Sequence, residues 1–237
     1  MKLLKKVSND FSLFSIDERG FNLLDKILNK EFVVHKEYKN DKRTYVAKVE
    51  MDGNNYLLKV FYPRTVLKKM MTFVKKGESL KTLENITFFR EKGVKELVPC
   101  IGSMEKREKG VITEEVLLME FCEGRRPKTV DDFQKIINVL GKIFDLGRYH
   151  GDCNPGNFLI DGNGEVRVID TKLKKMYFGN YRRHFDFLVL KKYLPKKIEY
   201  PYNKNIFYLF AVLVRKIRDK KNDYHEKKGE KNDSTGK

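Results

Sequence analysis

Hydrophobic and polar positions along this chain change period several times, and each change marks an element. Phe32–Tyr38, Thr44–Met51 and Tyr56–Phe61 are apolar or alternating over strand lengths. Lys39-Asn40-Asp41-Lys42 and Asp52-Gly53-Asn54-Asn55 separate them as turns, so three antiparallel strands are predicted. Glu78–Lys92 reads as a helix stopped by Gly93, and Cys100–Met104 and Val111–Phe121 as two more strands. In Thr129–Gly147 the side chains Phe133, Ile136, Ile137, Leu140, Ile143 and Phe144 share one helical face behind a Thr129/Asp132 cap. His184–Tyr193 and Asn203–Asp219 are the last expected helices. Residues 1–30 read as a charged lead-in with a short helix at Gly20–Leu28. Strands first and helices afterwards predict an α+β chain, and 237 residues can hold one ordinary domain or two small lobes. Residues 220–237 are charged, without apolar period, and are expected to be disordered.

Charge adds a partner class. The 237 residues hold 50 Lys and Arg against 33 Asp and Glu, a net charge of +17, which predicts a polyanionic partner: nucleic acid, an anionic membrane or a phosphorylated glycolipid. Two stretches carry five basic residues each and no acid, Arg64–Lys76 and Lys172–Arg183. In the first, Val66, Met70, Phe73 and Val74 have helical spacing; it is an amphipathic helix with either a solvated or an anion-contacting basic face. Cys100, Cys122 and Cys153 are scattered and form neither CxxC nor a zinc spacing, so a reducing cytoplasm is expected. The start lacks an apolar core of signal-peptide length, and the longest apolar run, Ile206–Val214, is too short to span a bilayer. The chain is expected to be soluble in the cytoplasm or peripheral to a membrane.

The chemistry lies in Tyr149–Asp170, YHGDCNPGNFLIDGNGEVRVID. Asp152 is followed five positions later by Asn157, with Pro155 and Gly156 forcing a tight turn between them. Phe158–Ile160 and Val166–Ile169 flank the hairpin signal Asp161-Gly162-Asn163-Gly164, which carries Asp170 back beside Asn157. Phosphoryl transfer asks for in-line positioning and charge neutralisation. Mg²⁺ keeps several waters and takes one or two protein oxygens, so an amide and a carboxylate from two segments suit it. Asn157 and Asp170 offer such a pair, with Asp152 at the other end of the tight loop from Asn157.

HGDCNPGN followed by VID resembles the small-molecule and atypical branch of the protein-kinase-like fold. With YLLKVF and the basic FVKKGES, it is most similar to the bacterial lipopolysaccharide core heptose kinases, over roughly Phe32 to Leu194. The resemblance implies a bilobal fold, with an antiparallel-sheet lobe over residues 1–121 and a mainly helical lobe over 122–219, and ATP and Mg²⁺ as cofactors. It makes Asp152 the base for the attacking hydroxyl, and Asn157 and Asp170 the metal ligands. It places Lys59, in the third strand, on the nucleotide phosphates. The helix from Glu78 would supply its carboxylate partner, Glu84 first and Glu78 second. The backbone from Glu120 to Cys122 would hold adenine at a hinge, His150 would brace the loop, and Asp186 would accept its backbone hydrogen bonds. One departure stands out: Lys39–Thr44, where kinases place a Gly-rich loop, has no glycine, so Lys42 or Arg43 would have to assist by charge.

The function expected is transfer of the ATP γ-phosphate to a sugar hydroxyl, heptose, of lipopolysaccharide core or another anionic acceptor. Alternatives are an atypical protein Ser kinase or other small-molecule kinase, and a pseudokinase or anion-binding module. Peripheral contact with an anionic inner-membrane surface belongs to the first reading; a specific nucleic acid partner does not.

Overall fold

Asn9 and Asp10 both take positive φ, 47° and 66°, the geometry of a two-residue turn that suits right-twisted strands. Around them the chain forms β1 (Leu4–Ser8) and β2 (Phe11–Ser15), paired antiparallel. The expected charged lead-in is therefore a hairpin, and the Asn-Asp pair was its signal. The computed structural model describes residues 3–62, 72–73 and 75–233, with side chains as far as 220. The expected basic helix over Arg64–Lys76 lies mostly outside these residues.

The chain divides into two compact units. The first is Met1–Gly124 with Asp161–Ile169, and the second is Arg125–Ile160 with Asp170–Lys237. The expected boundary after residue 121 is thus recrossed by residues 161–169. Val98 N donates to Val168 O at 3.1 Å and Val168 N to Glu96 O at 2.9 Å, which ties that stretch to the first unit.

After α1 (Glu18–Leu28), the first unit adds β3 (Val33–Asn40), β4 (Thr44–Met51), β5 (Asn54–Phe61), α2 (Glu78–Glu91), β6 (Cys100–Glu108), β7 (Val111–Glu120) and β10 (Val166–Val168). Seven strands form one antiparallel sheet in the order β1-β2-β6-β7-β5-β4-β3. Strand alternation assigns its two faces. Leu13, Met104, Leu118, Leu58 and Val60 join Phe21 and Leu24 of α1 in one core. On the other face α2 lies against β6 and β7, with Leu80, Leu83, Ile86 and Phe89 buried. Lys59, between Leu58 and Val60 and paired with Leu117 in the register, is on the α2 face.

The N-terminus of α2 has no local side-chain cap. Two buried carboxylates from the sheet serve instead: Glu105 accepts from Gly77 N at 2.8 Å and Glu115 from Ser79 N at 2.7 Å. Arg107 neutralises Glu105 at 3.1 Å. Burial raises the Glu115 carboxyl above its usual range, with the Ser79 hydrogen bonds opposing.

The second unit holds α3 (Val130–Asp145), β8 (Arg148–Tyr149), a 3₁₀ turn at Pro155–Asn157, β9 (Phe158–Ile160), β11 (Lys174–Lys175), α4 (Tyr181–Lys191) and α5 (Ile206–Asp233). The α3 cap is the expected one: Thr129 Oγ1 accepts from Asp132 N, and the Asp132 carboxylate accepts from Thr129 N. Arg125 adds a two-pronged ion pair to Asp132 at 2.7 and 2.9 Å, which holds that carboxyl far below the usual range. The last helix corrects the expectation of an unstructured tail, because it continues through residue 220 to Asp233. A helix already nucleated by its packed first half elongates cheaply through charged residues of fair helix propensity.

Candidate active site

Three hydrogen bonds fold the loop His150–Asn157 and bring the expected site residues of the second unit into one neighbourhood. Asn157 Nδ2 donates to Asp152 O at 2.8 Å. Its donor end is thereby occupied, and Oδ1 is the atom left for a cation. His150 O accepts from Lys172 N at 3.0 Å and from Thr171 Oγ1 at 3.2 Å. That clasp holds the residues immediately after Asp170 against the start of the loop. The Asp152 and Asp170 side chains are exposed, whereas His150 and Cys153 are fully buried. Asn154 Oδ1 accepts from Gly156 N at 3.0 Å, so the Pro-Gly turn forms as its sequence predicts.

The supports of this loop are electrostatic as well as steric. Asp186 is buried on α4 and accepts from Gly151 N at 3.1 Å, the bracing contact expected of it. Burial pushes its carboxyl up to about 7, although Gly151 and His150 amides and the Cys153 thiol favour the charged form. Burial likewise lowers His150 to about 4, against the pull of Asp170. His150 is therefore neutral at ordinary pH, and its Nδ1 accepts from Asp152 N at 3.3 Å while the ring packs 4.9 Å from Phe158. A buried neutral imidazole with that bond orients the loop; it is badly placed to shuttle protons. Burial also raises the Cys153 thiol well above its usual value, so it is an inert packing group.

Among the described residues no three His, Cys, Asp or Glu side chains cluster to hold a metal. The expected set is the Asp170 carboxylate and the Asn157 amide oxygen. Such a set is poor for zinc and fits Mg²⁺, which takes few protein oxygens and keeps its waters.

In the first unit, Lys59 Nζ donates to the carbonyl of Ile169 at 3.3 Å, the residue before Asp170. Glu84 is not brought to it. Its carboxylate takes Lys76 at 2.5 Å and lines an open cleft with Lys5, Phe14 and Phe88. That flank of α2 faces β2, three strands from β5, or about 14 Å at ordinary strand spacing. Leu80, Leu83, Ile86 and Phe89 form the buried side of α2, and Glu84 falls on the flank away from β5. Glu78, the second choice, lies about 120° round the helix from Glu84, near enough to Glu115 to raise its carboxyl.

β7 ends at Glu120, whose N donates to Pro99 O at 3.0 Å, and residues 121–124 belong to no strand or helix. Glu120 and Cys122 border a cleft together with Arg90, Asp161 and Arg167. Where a Gly-rich loop would stand, Asp41 Oδ1 accepts from Arg43 N at 2.7 Å and Thr44 N at 2.8 Å. These amides are committed to the turn, and the side chains of Lys42 and Arg43 are exposed beside it.

The basic stretch Lys172–Arg183 splits in two. Lys172, Lys174 and Lys175 are exposed, and β11 pairs with β8, three residues before Asp152. Arg182 and Arg183 instead stack on aromatic rings, Arg182 on Tyr181 at 4.7 Å and Arg183 on Tyr202 at 4.1 Å. Of the five charges, two are engaged by rings within the chain and three are exposed.

One family, described as "Lipopolysaccharide core biosynthesis protein (WaaY)", matches residues 2–225. The chain belongs to the WaaY family. The match takes in both units, including the hairpin β1–β2 and the loop His150–Asn157. The chain is also similar to the RIO-type serine/threonine-protein kinase Rio2 of Methanocaldococcus jannaschii, 34% identical over 61 residues. That stretch is 25% of this WaaY-family chain and 23% of the kinase's own length. It supports a protein-kinase-like relationship for the WaaY family fold seen here, an antiparallel sheet followed by helices.

Proposed function

We propose that the protein is an ATP- and Mg²⁺-dependent kinase that transfers the γ-phosphate to a sugar hydroxyl, a heptose, of lipopolysaccharide core. The observation that carries this reading is the loop His150–Asn157 with the clasp to Thr171 and Lys172, in a chain of the WaaY family. Asp152 accepts the proton of the attacking hydroxyl; its exposed carboxylate on a loop braced by His150 and Asp186 is free to meet a substrate. Asn157 Oδ1 and Asp170 would hold Mg²⁺, which when bound neutralises charge on the phosphates. Lys59 contacts the nucleotide phosphates, with Glu78 as the carboxylate that orients it, and the backbone from Glu120 to Cys122 receives adenine. Lys172, Lys174 and Lys175 offset repulsion from anionic groups already on the acceptor. A lipid-bearing acceptor also implies peripheral contact with an anionic membrane surface.

The likeness to Rio2 favours a second reading, an atypical Ser kinase acting on protein. Purified protein with labelled ATP, offered core oligosaccharide, a protein mixture and simple sugars, decides between them. Label on the oligosaccharide heptose supports the first reading, and label on protein alone supports the second. Asp152→Asn should abolish transfer while leaving ATP binding nearly intact. Asn157→Ala and Asp170→Ala should each weaken Mg²⁺-dependent nucleotide binding. Wild-type turnover in Asp152→Asn overturns its role as the base.

A further inference from the structure

Five large apolar side chains of α5 stand in the open. Ile206, Leu209, Phe210, Leu213 and Ile217 fall within an arc of about 100° on the helix, and Ile206 and Ile217 are 75% and 60% exposed. The opposite face of the helix, at buried Ala211, packs on Phe185 and Leu188 of α4. The stripe is widened by the loop before α4, where Tyr177 and Phe178 are 86% and 58% exposed. Gly179 makes this possible. Its φ is 47°, and a Cβ there would come within 2.3 Å of the Phe207 ring, so only glycine lets the loop lie on α5. The Phe178 ring then meets those of Phe207 and Phe210 at 5.8 and 5.6 Å. So large a contiguous apolar surface marks an interaction site.

Its rim is basic. Lys174, Lys175, Lys204, Lys216 and Lys220 are exposed. The one acid between Ile206 and Lys220, Asp219, is engaged by Arg215 and Lys192. Docking a second copy face to face would bring two sets of uncompensated lysines together. An anionic bilayer surface matches both features, because its acyl boundary accepts the apolar side chains and its phosphates accept the lysines.

We propose that the face formed by Tyr177, Phe178 and the exposed stripe of α5 docks on an anionic lipid bilayer. The helix lies on the bilayer and does not cross it: among the described residues no helix is long and apolar enough to span. The lysines reach outward along their stems to the lipid headgroups. Because β11 is paired with β8, docking sets Lys174 and the loop of Asp152 beside the lipid surface. That last consequence rests on the proposed function; the docking itself does not.

The chain has no tryptophan, so Leu213→Trp provides a single reporter, with Phe88→Trp on α2 as the control. Each is mixed with vesicles of phosphatidylglycerol and phosphatidylethanolamine, and with vesicles of phosphatidylcholine alone. The expected result is a blue shift of Leu213→Trp with the anionic vesicles only, and none for Phe88→Trp. In flotation, the triple variant Leu209→Ser, Leu213→Ser, Ile217→Ser should lose at least ten-fold in bound fraction. Lys216→Gln with Lys220→Gln should lose roughly ten-fold or more, at about five-fold per headgroup-contacting lysine. All these side chains are exposed, and unchanged thermal unfolding of each variant checks that the fold is intact. No shift, flotation of the triple variant like wild type, or equal binding to phosphatidylcholine overturns the proposal. So does a Leu213→Trp emission already blue-shifted without vesicles in a dimer, since the occupant is then a second copy. Neither ATP nor acceptor is used, so a failed kinase assay leaves this result standing, and a failed vesicle assay leaves the kinase reading standing.

Discussion

His150 shows how burial decides a residue's role. The sequence offered an imidazole two positions from an Asp. The structure seals it, lowers it to about 4 and lets its Nδ1 accept from the amide of Asp152. The folded state holds His150 neutral while the unfolded chain protonates it near 6.5, so its contribution to stability is lost as pH falls from 6.5 to 4, by of order 3 kcal/mol. Asp186 acts in the opposite sense. Its carboxyl is raised to about 7, so its contribution is full below the unfolded carboxylate value and lost as pH rises through 7. His150→Asn keeps an acceptor for the Asp152 amide and removes the titration. Thermal unfolding from pH 7 to 4 should show the gap between wild type and His150→Asn narrowing as pH falls. A constant gap would mean that His150 does not titrate on unfolding.

Two elements owe their placement to contacts that single residues can test. The first turn of α2 is held by Glu105 and Glu115, and the space above Gly77 is filled by their oxygens. A Cβ on Gly77 would lie 2.4 Å from each carboxylate. Its φ is −60°, so the backbone itself tolerates alanine. Gly77→Ala should nevertheless destabilise the protein by about 1–3 kcal/mol through overpacking, measured by urea unfolding. A stabilised variant would show that the carboxylates move aside at no cost. In the stretch Lys172–Arg183, the exposed lysines and the stacked arginines should separate. Lys172→Gln with Lys174→Gln and Lys175→Gln should raise KM for a phosphorylated acceptor, leave that for ATP nearly unchanged, and leave stability within about 0.5 kcal/mol. The KM defect should shrink at high salt. Arg183→Ala, losing its ring contacts with Tyr202 and Phe144, should instead lower the melting temperature. A melting temperature unchanged by Arg183→Ala would return that residue to the acceptor face.

For the whole molecule, the hairpin β1–β2 is part of the sheet and not an appendage. Leu13 and Ser15 are fully buried, and Ser15 Oγ donates to Ile101 O at 3.0 Å. Removing residues 1–16 would uncover the long edge of β6 and open the core beside α1. The truncated chain should aggregate on refolding, followed by light scattering, and should lack the cooperative melt of the full chain. A soluble truncated chain melting at the wild-type temperature would show the hairpin to be accessory.

Much of the α+β order was legible because it rests on local rules. The Thr129/Asp132 cap, the Pro-Gly turn and the alternation of β4 need only neighbouring residues, and each stands where its pattern put it. The loop from Asp152 to Asn157 was legible for the same reason, since its turn and the Asn157–Asp152 hydrogen bond lie within six residues. Tertiary structure alone decided what depends on residues far apart in sequence. Which flank of α2 faces β5 is set by how Leu80, Leu83 and Ile86 fill the sheet, and a helical pattern does not encode that rotation. The caps Glu105 and Glu115 come from strands 28 and 36 residues away from the amides they hold. The charges of Arg182 and Arg183 looked equivalent to those of the lysines beside them until aromatic rings from other elements covered two and left three in solvent. Composition counts charges, but only packing determines which of them another molecule can reach.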